Sequence, residues 1–175
     1  MATLRPARCY RTIKRANTRQ SQRKPKKGYV KGVPYPKIHR YTFGDKKTDY
    51  RLSMYLRVDN AVSIRHNALE AARVALNKAM TKNVGDGFYM MKVLVFPHHV
   101  MRENPLATGA GADRFSTGMR KSFGKPIGLA AMVKKDQRIL QIKLNPDKEA
   151  AGKKALKVAS SKIPSTCRIE SVLTK

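Results

Sequence analysis

Tryptophan is absent, and aromatic residues make up only 7% of this 175-residue chain. Stacking on nucleic-acid bases is therefore not the binding mode that composition puts first. Cysteine is scarce too. Cys9 and Cys167 stand far apart and form no CxxC pair. In a reducing compartment no disulfide is expected between them. Both read as small, fairly apolar residues rather than ligands or nucleophiles. No apolar run is long enough to span a bilayer, and the N-terminus lacks the apolar centre of a signal peptide. A membrane partner is not expected, and an intracellular location is. The strongest deficit is in acid: 11 Asp+Glu face 38 Lys+Arg, a formal charge of +27. Such a charge repels itself in the free protein and seeks a polyanion, which makes nucleic acid the expected partner.

The shortage of acid is complete from residue 1 to residue 43, where no Asp or Glu occurs. Arg5, Arg8, Arg11, Lys14, Arg15, Arg19, Arg23, Lys24, Lys26, Lys27, Lys31, Lys37 and Arg40 lie along this stretch. Pro6, Pro25, Pro34 and Pro36 oppose a long helix. Interleaved Cys9, Tyr10, Ile13, Tyr29, Val30, Val33, Tyr35 and Ile38 are more than a pure tail needs. An extended basic arm is expected, with cations on phosphates and tyrosines against sugars or the domain.

From residue 44 the chain reads as a platform, and the whole as one domain with the arm. Leu52, Met54, Leu56 and Val58 alternate with polar residues, as in a half-buried strand. A turn is expected over Asp59–Ser63, then a helix to about Lys82. Ser63 would be its N-cap, and Ile64, Ala68, Leu69, Ala72, Ala75, Leu76 and Ala79 its inner face. His66 near its start reads as a satisfied or exposed histidine. Phe88 to Phe96, FYMMKVLVF, reads as a central strand. Leu129–Val133 and Arg138–Leu144, split by Lys134-Lys135-Asp136-Gln137, read as a hairpin. Asn145-Pro146 opens a second helix that runs to about Lys162, with Ala151, Ala155, Val158 and Ala159 inward. Pro164 stops it, and Cys167–Val172 supplies a last strand. The expected class is α+β.

Between the strands lies a long polar stretch, residues 97–127. It holds Arg102, Asn104, Arg114, Arg120, Lys121 and Lys125 against Glu103 and Asp113. Gly109, Gly111, Gly118 and Gly124 let it bend and approach a partner closely. Compact domains rarely keep so long a loop without a use for it. Gly109-Ala110-Gly111-Ala112-Asp113-Arg114 is not a dinucleotide fingerprint, because Arg114 replaces the third glycine. Gly124-Lys125-Pro126 lacks the Ser/Thr and spacing of a phosphate-binding loop. His98 and His99, being adjacent, would point to opposite faces of a strand and are poor joint metal ligands. RNA contact or packing at the loop base suits them better. Glu103 and Asp113 are expected to pair with arginines of the loop. No catalytic constellation, metal site or cofactor site is visible, so no enzyme is expected. A modifying enzyme on the same basic surface, or a free RNA chaperone, would be the competing readings.

Arg5-Pro-Ala-Arg-Cys-Tyr-Arg11, Ala68-Leu-Glu-Ala-Ala-Arg73, Pro97-His-His-Val100, Gly109-Ala-Gly-Ala-Asp-Arg114, Gly118-Met-Arg120 and Phe123-Gly-Lys-Pro126 follow one another in the chain. Together they resemble the archaeal and eukaryotic L-ten-e family of large-subunit ribosomal proteins, counterpart of bacterial L-sixteen. The form of the loop looks archaeal. The resemblance implies a two-layer α/β-hammerhead sandwich, mostly antiparallel, with two helices, built into the cytoplasmic ribosome. It implies large-subunit rRNA as partner, held by Arg5, Arg8, Arg11, Lys14, Arg15, Arg19, Arg23, Lys24, Lys27, Lys31, His98 and His99. It also implies a place at the base of the central protuberance, near 5S rRNA and neighbouring ribosomal proteins. The loop, with Arg102, Asn104, Gly109, Gly111, Arg114, Arg120, Lys121 and Lys125, would reach toward the peptidyl-transferase region and the tRNA acceptor end.

Overall fold

The computed structural model describes residues 4–13, 19–20, 28–104, 109–115, 118–120 and 122–173. In chain order the strands are β1 (Arg19–Gln20), β2 (Gly28–Tyr29), β3 (Thr42–Gly44), β4 (Leu52–Val58), β5 (Val62–Arg65), β6 (Met90–Val93), β7 (His99–Glu103), β8 (Lys125–Val133), β9 (Arg138–Leu144) and β10 (Cys167–Leu173). The helices are α1 (His66–Val84), the single turn α2 (Ala112–Phe115) and α3 (Glu149–Ser160). The class is α+β with antiparallel pairing and two long helices, as expected.

Besides the short ladder β1-β2, two sheets form. One has five strands in the order β10-β4-β9-β6-β3, the other three in the order β5-β8-β7. The inner face of the first carries Met54, Leu56, Leu140, Ile142 and Leu144, all fully buried. Leu69, Ala72, Leu76 and Met80 of α1 and Ala155, Leu156 and Ala159 of α3 join them in one core. Ile64 and Val133 of the second sheet belong to it as well. Gly152 lets α3 lie close to the sheet. A Cβ there would stand 2.7 Å from Met54 Sδ and 2.9 Å from Leu144 Cδ2. Ile38 is buried in this core, with Tyr41 and Phe43 packed against it. The far end of the basic segment is thus fixed to the platform.

Several local expectations are corrected. Val62–Arg65 is a strand, not a turn and helix start, and Arg65 rather than Ser63 takes the N-cap position. Val62 and Ile64 are β-branched and pair with Val133 and Ala131, so tertiary pairing overrides the helical spacing that includes Ile64. Asn83 and Gly85 do mark the end of α1, with Gly85 at φ 91. FYMMKVLVF gives only the short β6, which lies next to the edge strand. β9 holds the centre. In α3, Gly152 and Leu156 face inward, whereas Val158 is largely exposed.

The hairpin is the largest correction. β8 pairs with β5 and β7, while β9 pairs with β4 and β6. The turn between them passes the chain from one sheet to the other. Asp136 takes φ 61, a left-handed conformation that Asp tolerates. Its N–H donates to Val58 O at 2.8 Å, and the Val58 N–H donates to Gln137 O. The turn is tied to the end of β4 rather than closing a ladder.

Candidate nucleic-acid interface

The three-stranded sheet holds both the arm and the loop. Residues Ala7–Tyr10 form a short 3-10 turn begun by Pro6. The Ser63 N–H on β5 donates to Arg11 O at 2.8 Å, and Arg65 Nη1 donates to Arg5 O at 2.7 Å. The Arg65 guanidinium lies 5.8 Å from the centre of the Tyr10 ring. Tyr10 reaches across to β7, where its hydroxyl donates to Glu103 Oε2 at 2.8 Å. Arg5 Nε pairs with the other oxygen of Glu103. Burial, then the Glu103 hydrogen bond and charge, push the Tyr10 phenol up to about 12, so it stays a donor. Glu103 therefore clasps the arm. The expectation that it pairs with an arginine of the loop is corrected, because Arg5 and Tyr10 come from far along the chain to reach it. The side chain of Asp113 lies outside the described residues.

Arg8, Arg11 and Lys31 are exposed. Ion pairs among the described residues use Arg5, Arg57, Arg73, Arg138, Lys153 and Arg168, so no described carboxylate neutralises these three. Arg19 is placed by its backbone, opposite Tyr29 in the β1-β2 ladder. Lys14, Arg15, Arg23, Lys24, Lys27 and Lys121 lie outside the described residues.

Both ends of the expected loop are strand. β7 and β8 pair as far as Glu103 and Lys125, with a register shift between Met101 and Arg102. Arg102 buckles the base of the excursion: Nη1 donates to Gly124 O at 3.0 Å, and the guanidinium lies 4.3 Å over the Phe123 ring. Gly124 sits at φ 77, and a Cβ on it would stand 2.5 Å from the Glu103 carbonyl. Only glycine allows the two strands to meet there. Asn104 is half-buried beside this closure, and Lys125 is exposed. Farther out, Gly109 and Gly111 have positive φ and no atom within 4 Å of a hypothetical Cβ. Their carbonyls accept from the Ala112 and Arg114 N–H groups, which begins α2. Arg114 and Arg120 are exposed.

The two adjacent histidines have different surroundings. His98 is exposed, with its ring 4.5 Å from that of Phe96, which in turn stacks on Tyr41 at 5.4 Å. His99 is half-buried on β7. Its Nδ1 has no partner among the described residues, and burial lowers its pKa. His66 is a satisfied histidine: Nδ1 accepts the Lys37 N–H at 3.2 Å. Burial, then the charges of Lys37 and Arg65, hold it below its ordinary value. Both cysteines are free, and burial pushes the Cys167 thiol up to about 11. Among the described residues no three His, Cys, Asp or Glu side chains gather as metal ligands, and no helix is long and apolar enough to cross a membrane.

The structure adds Arg65, Glu103 and Phe123 to the residues that build this region. The interleaved Tyr10 was the one visible signal of the clasp; the partners across the fold had none.

Comparison with known proteins decides the family. The family described as Ribosomal protein L16p/L10e matches residues 17–170. The chain belongs to it. The large ribosomal subunit protein uL16 of Methanococcus maripaludis is 46% identical over 172 residues, covering 98% of this chain and 95% of its own. The proteins of the same name from Hyperthermus butylicus and Thermoplasma acidophilum are 42% and 44% identical, over 98% and 86% of this chain and 94% and 84% of their own. As a ribosomal protein of archaeal type, the L16p/L10e chain has Arg8 and Arg11, which no described carboxylate neutralises, on an arm tied to the same three-stranded sheet that carries the glycine-containing loop.

Proposed function

We propose that the chain is a structural constituent of the large ribosomal subunit in the cytoplasm and acts without chemistry of its own. Its relatives are named as proteins of the large ribosomal subunit. One observation supports attachment through the arm: it is fixed to β5 through Ser63 and Arg65 and to β7 through Glu103, while Arg8 and Arg11 stay exposed and unneutralised by any described carboxylate. In this reading the arm cations, including those of residues 14–27, bind phosphates of large-subunit rRNA near the base of the central protuberance. His98, His99 and Lys31 add contacts. Neighbouring ribosomal proteins and 5S rRNA lie close by. The loop, bearing Arg102, Asn104, Gly109, Gly111, Arg114, Arg120, Lys121 and Lys125, extends toward the peptidyl-transferase region and the tRNA acceptor end. A two-strand base that carries a basic, glycine-containing loop suits charge-assisted contacts there.

Co-sedimentation with large subunits through high salt tests the first part; loss of the protein from the subunit overturns it. Replacing residues 105–120 with a short Gly-Ser linker tests the second, and spares Glu103 and the arm clasp. Incorporation is expected to persist while tRNA binding or peptide-bond formation slows. Normal translation rates overturn the tRNA role, and failed incorporation makes the loop an assembly element instead.

A further inference from the structure

Between the arm and the outer face of the three-stranded sheet lies a cleft of about 280 Å³, lined by Tyr10, Thr12, Ser63, His99, Phe123 and Met132 among others. We propose that this cleft holds one unstacked RNA base. The proposal rests on the rRNA-binding reading above and adds to it a recognition site for a base rather than for phosphate.

The chemistry of the walls points to that ligand. Phe123 is 57% exposed and Met132 36%, so two large apolar side chains of the cleft stay uncovered. Flat or polarisable apolar surfaces are what a base face covers on leaving its stack. Arg102, fixed to Gly124 O, lies over the Phe123 ring and holds it in place. The other polar groups of the lining include the hydroxyls of Ser63, Thr12 and Ser122 and the His99 imidazole, whose pKa burial lowers. Neutral donors and acceptors suit the edge of a base and give little to a phosphate. Arg102 is the cation of the lining and is engaged with Gly124 O and the Phe123 ring; the exposed Arg8 and Arg11, next in sequence to Cys9 and Tyr10, can take the ribose-phosphate chain. The volume falls just below the roughly 300–1,000 Å³ of sites for larger ligands, which suits one ring system. The clasp of Tyr10 and Arg5 on Glu103 sets the arm wall without RNA.

Cys9 also lines the cleft and is exposed, whereas Cys167 is half-buried with its thiol pushed up to about 11, so a thiol reagent reads the cleft selectively. The test uses the full chain with a short oligoadenylate, an abasic ribose-phosphate oligomer of equal length, and adenosine monophosphate. Oligoadenylate is expected to slow Cys9 labelling about tenfold, and the abasic oligomer to leave it within about twofold. Phe123→Ala should weaken oligoadenylate binding about tenfold with abasic binding unchanged, and Phe123→Tyr should retain it. Equal protection by both oligomers, or no selective loss in Phe123→Ala, overturns the cleft while rRNA binding stands. Protection by the free mononucleotide as strong as by the oligomer makes this a nucleotide site and overturns it too. If neither oligomer binds at low salt, the rRNA reading fails and the cleft with it. Should Phe123→Ala not fold, the labelling of the unaltered protein decides.

Discussion

The two sheets of this protein treat charge in opposite ways. On the five-stranded sheet three arginines are met by carboxylates. Glu170 of β10 takes both Arg138 Nη2 at 2.9 Å and Arg57 Nη1 at 3.6 Å, and Asp59 takes Arg168 at 2.8 Å. Arg138 also lies 4.1 Å over the Tyr55 ring, whose hydroxyl accepts from Gln141. The Glu170 carboxyl is held below its ordinary value, chiefly by its hydrogen bond to Arg138. On the three-stranded sheet one carboxylate, Glu103, is spent on holding the arm, and Arg8 and Arg11 are left for an outside anion. Net charge says only that a polyanion is wanted; the distribution of carboxylates says which side meets it.

The largest break in this contrast comes from the arm. Replacing Arg8 and Arg11 with Gln should flatten the salt dependence of binding to large-subunit rRNA fragments by about 1.5 in log–log slope, the loss of two phosphate contacts. Replacing Arg57 and Arg138 should leave the slope unchanged. Arg5 is a poorer probe, because its loss also opens the clasp on Glu103. Equal slopes for both pairs would abolish the distinction between the sheets.

A smaller effect is expected at the loop base. Gly124→Ala meets both a left-handed φ and the Glu103 backbone, and should lower unfolding free energy by about 1–3 kcal/mol in urea titrations. Gly111→Ala has open space around it and should cost nearer to about 1 kcal/mol. Equal losses would mean that the closure at Gly124 is not tight.

Histidine gives a pH signature. In the folded protein His66 and His99 are less basic than in the unfolded chain, where the ordinary value is 6.5. Below that value the unfolded chain takes up protons that the fold resists, so stability is full above it and falls as pH drops through the window beneath it. Thermal unfolding should show this decline, and His66→Asn should reduce its slope while keeping an acceptor for the Lys37 N–H.

The smallest effect is expected from Glu170→Gln. It should shift the unfolding midpoint little, since exposed ion pairs add little stability. By releasing Arg57 and Arg138 it should slightly steepen non-specific RNA binding against salt, making the first sheet resemble the second.

Most elements were legible from spacing: β4, α1, α3 and β10 stand close to where alternation, helical periodicity, Gly85 and Pro164 put them. What alternation does not carry is the address of a strand. Leu129–Val133 and Arg138–Leu144 alternate equally well as partners in one sheet or as members of two. Ile64 fits a helix face by spacing and a strand by its pairing with Ala131. The same limit applies to the interface. The basic arm and loop were plain in the sequence, but Glu103 was assigned to loop arginines because its true partners, Arg5 and Tyr10, lie more than half the chain away.

The position of β10 also fixes when the protein can become whole. Its residues from Cys167 to Leu173 pair with Val58 to Leu52, so the strand must join a partner that precedes it by more than a hundred residues. Until they do, β4 has an open edge, and Glu170 is not yet beside Arg57 and Arg138. Such long-range closure slows folding and leaves a growing chain with bare cations on both sheets. A newborn copy is therefore more adhesive to nucleic acid than a finished one, and completing the last strand is the step that confines its stickiness to the arm and loop.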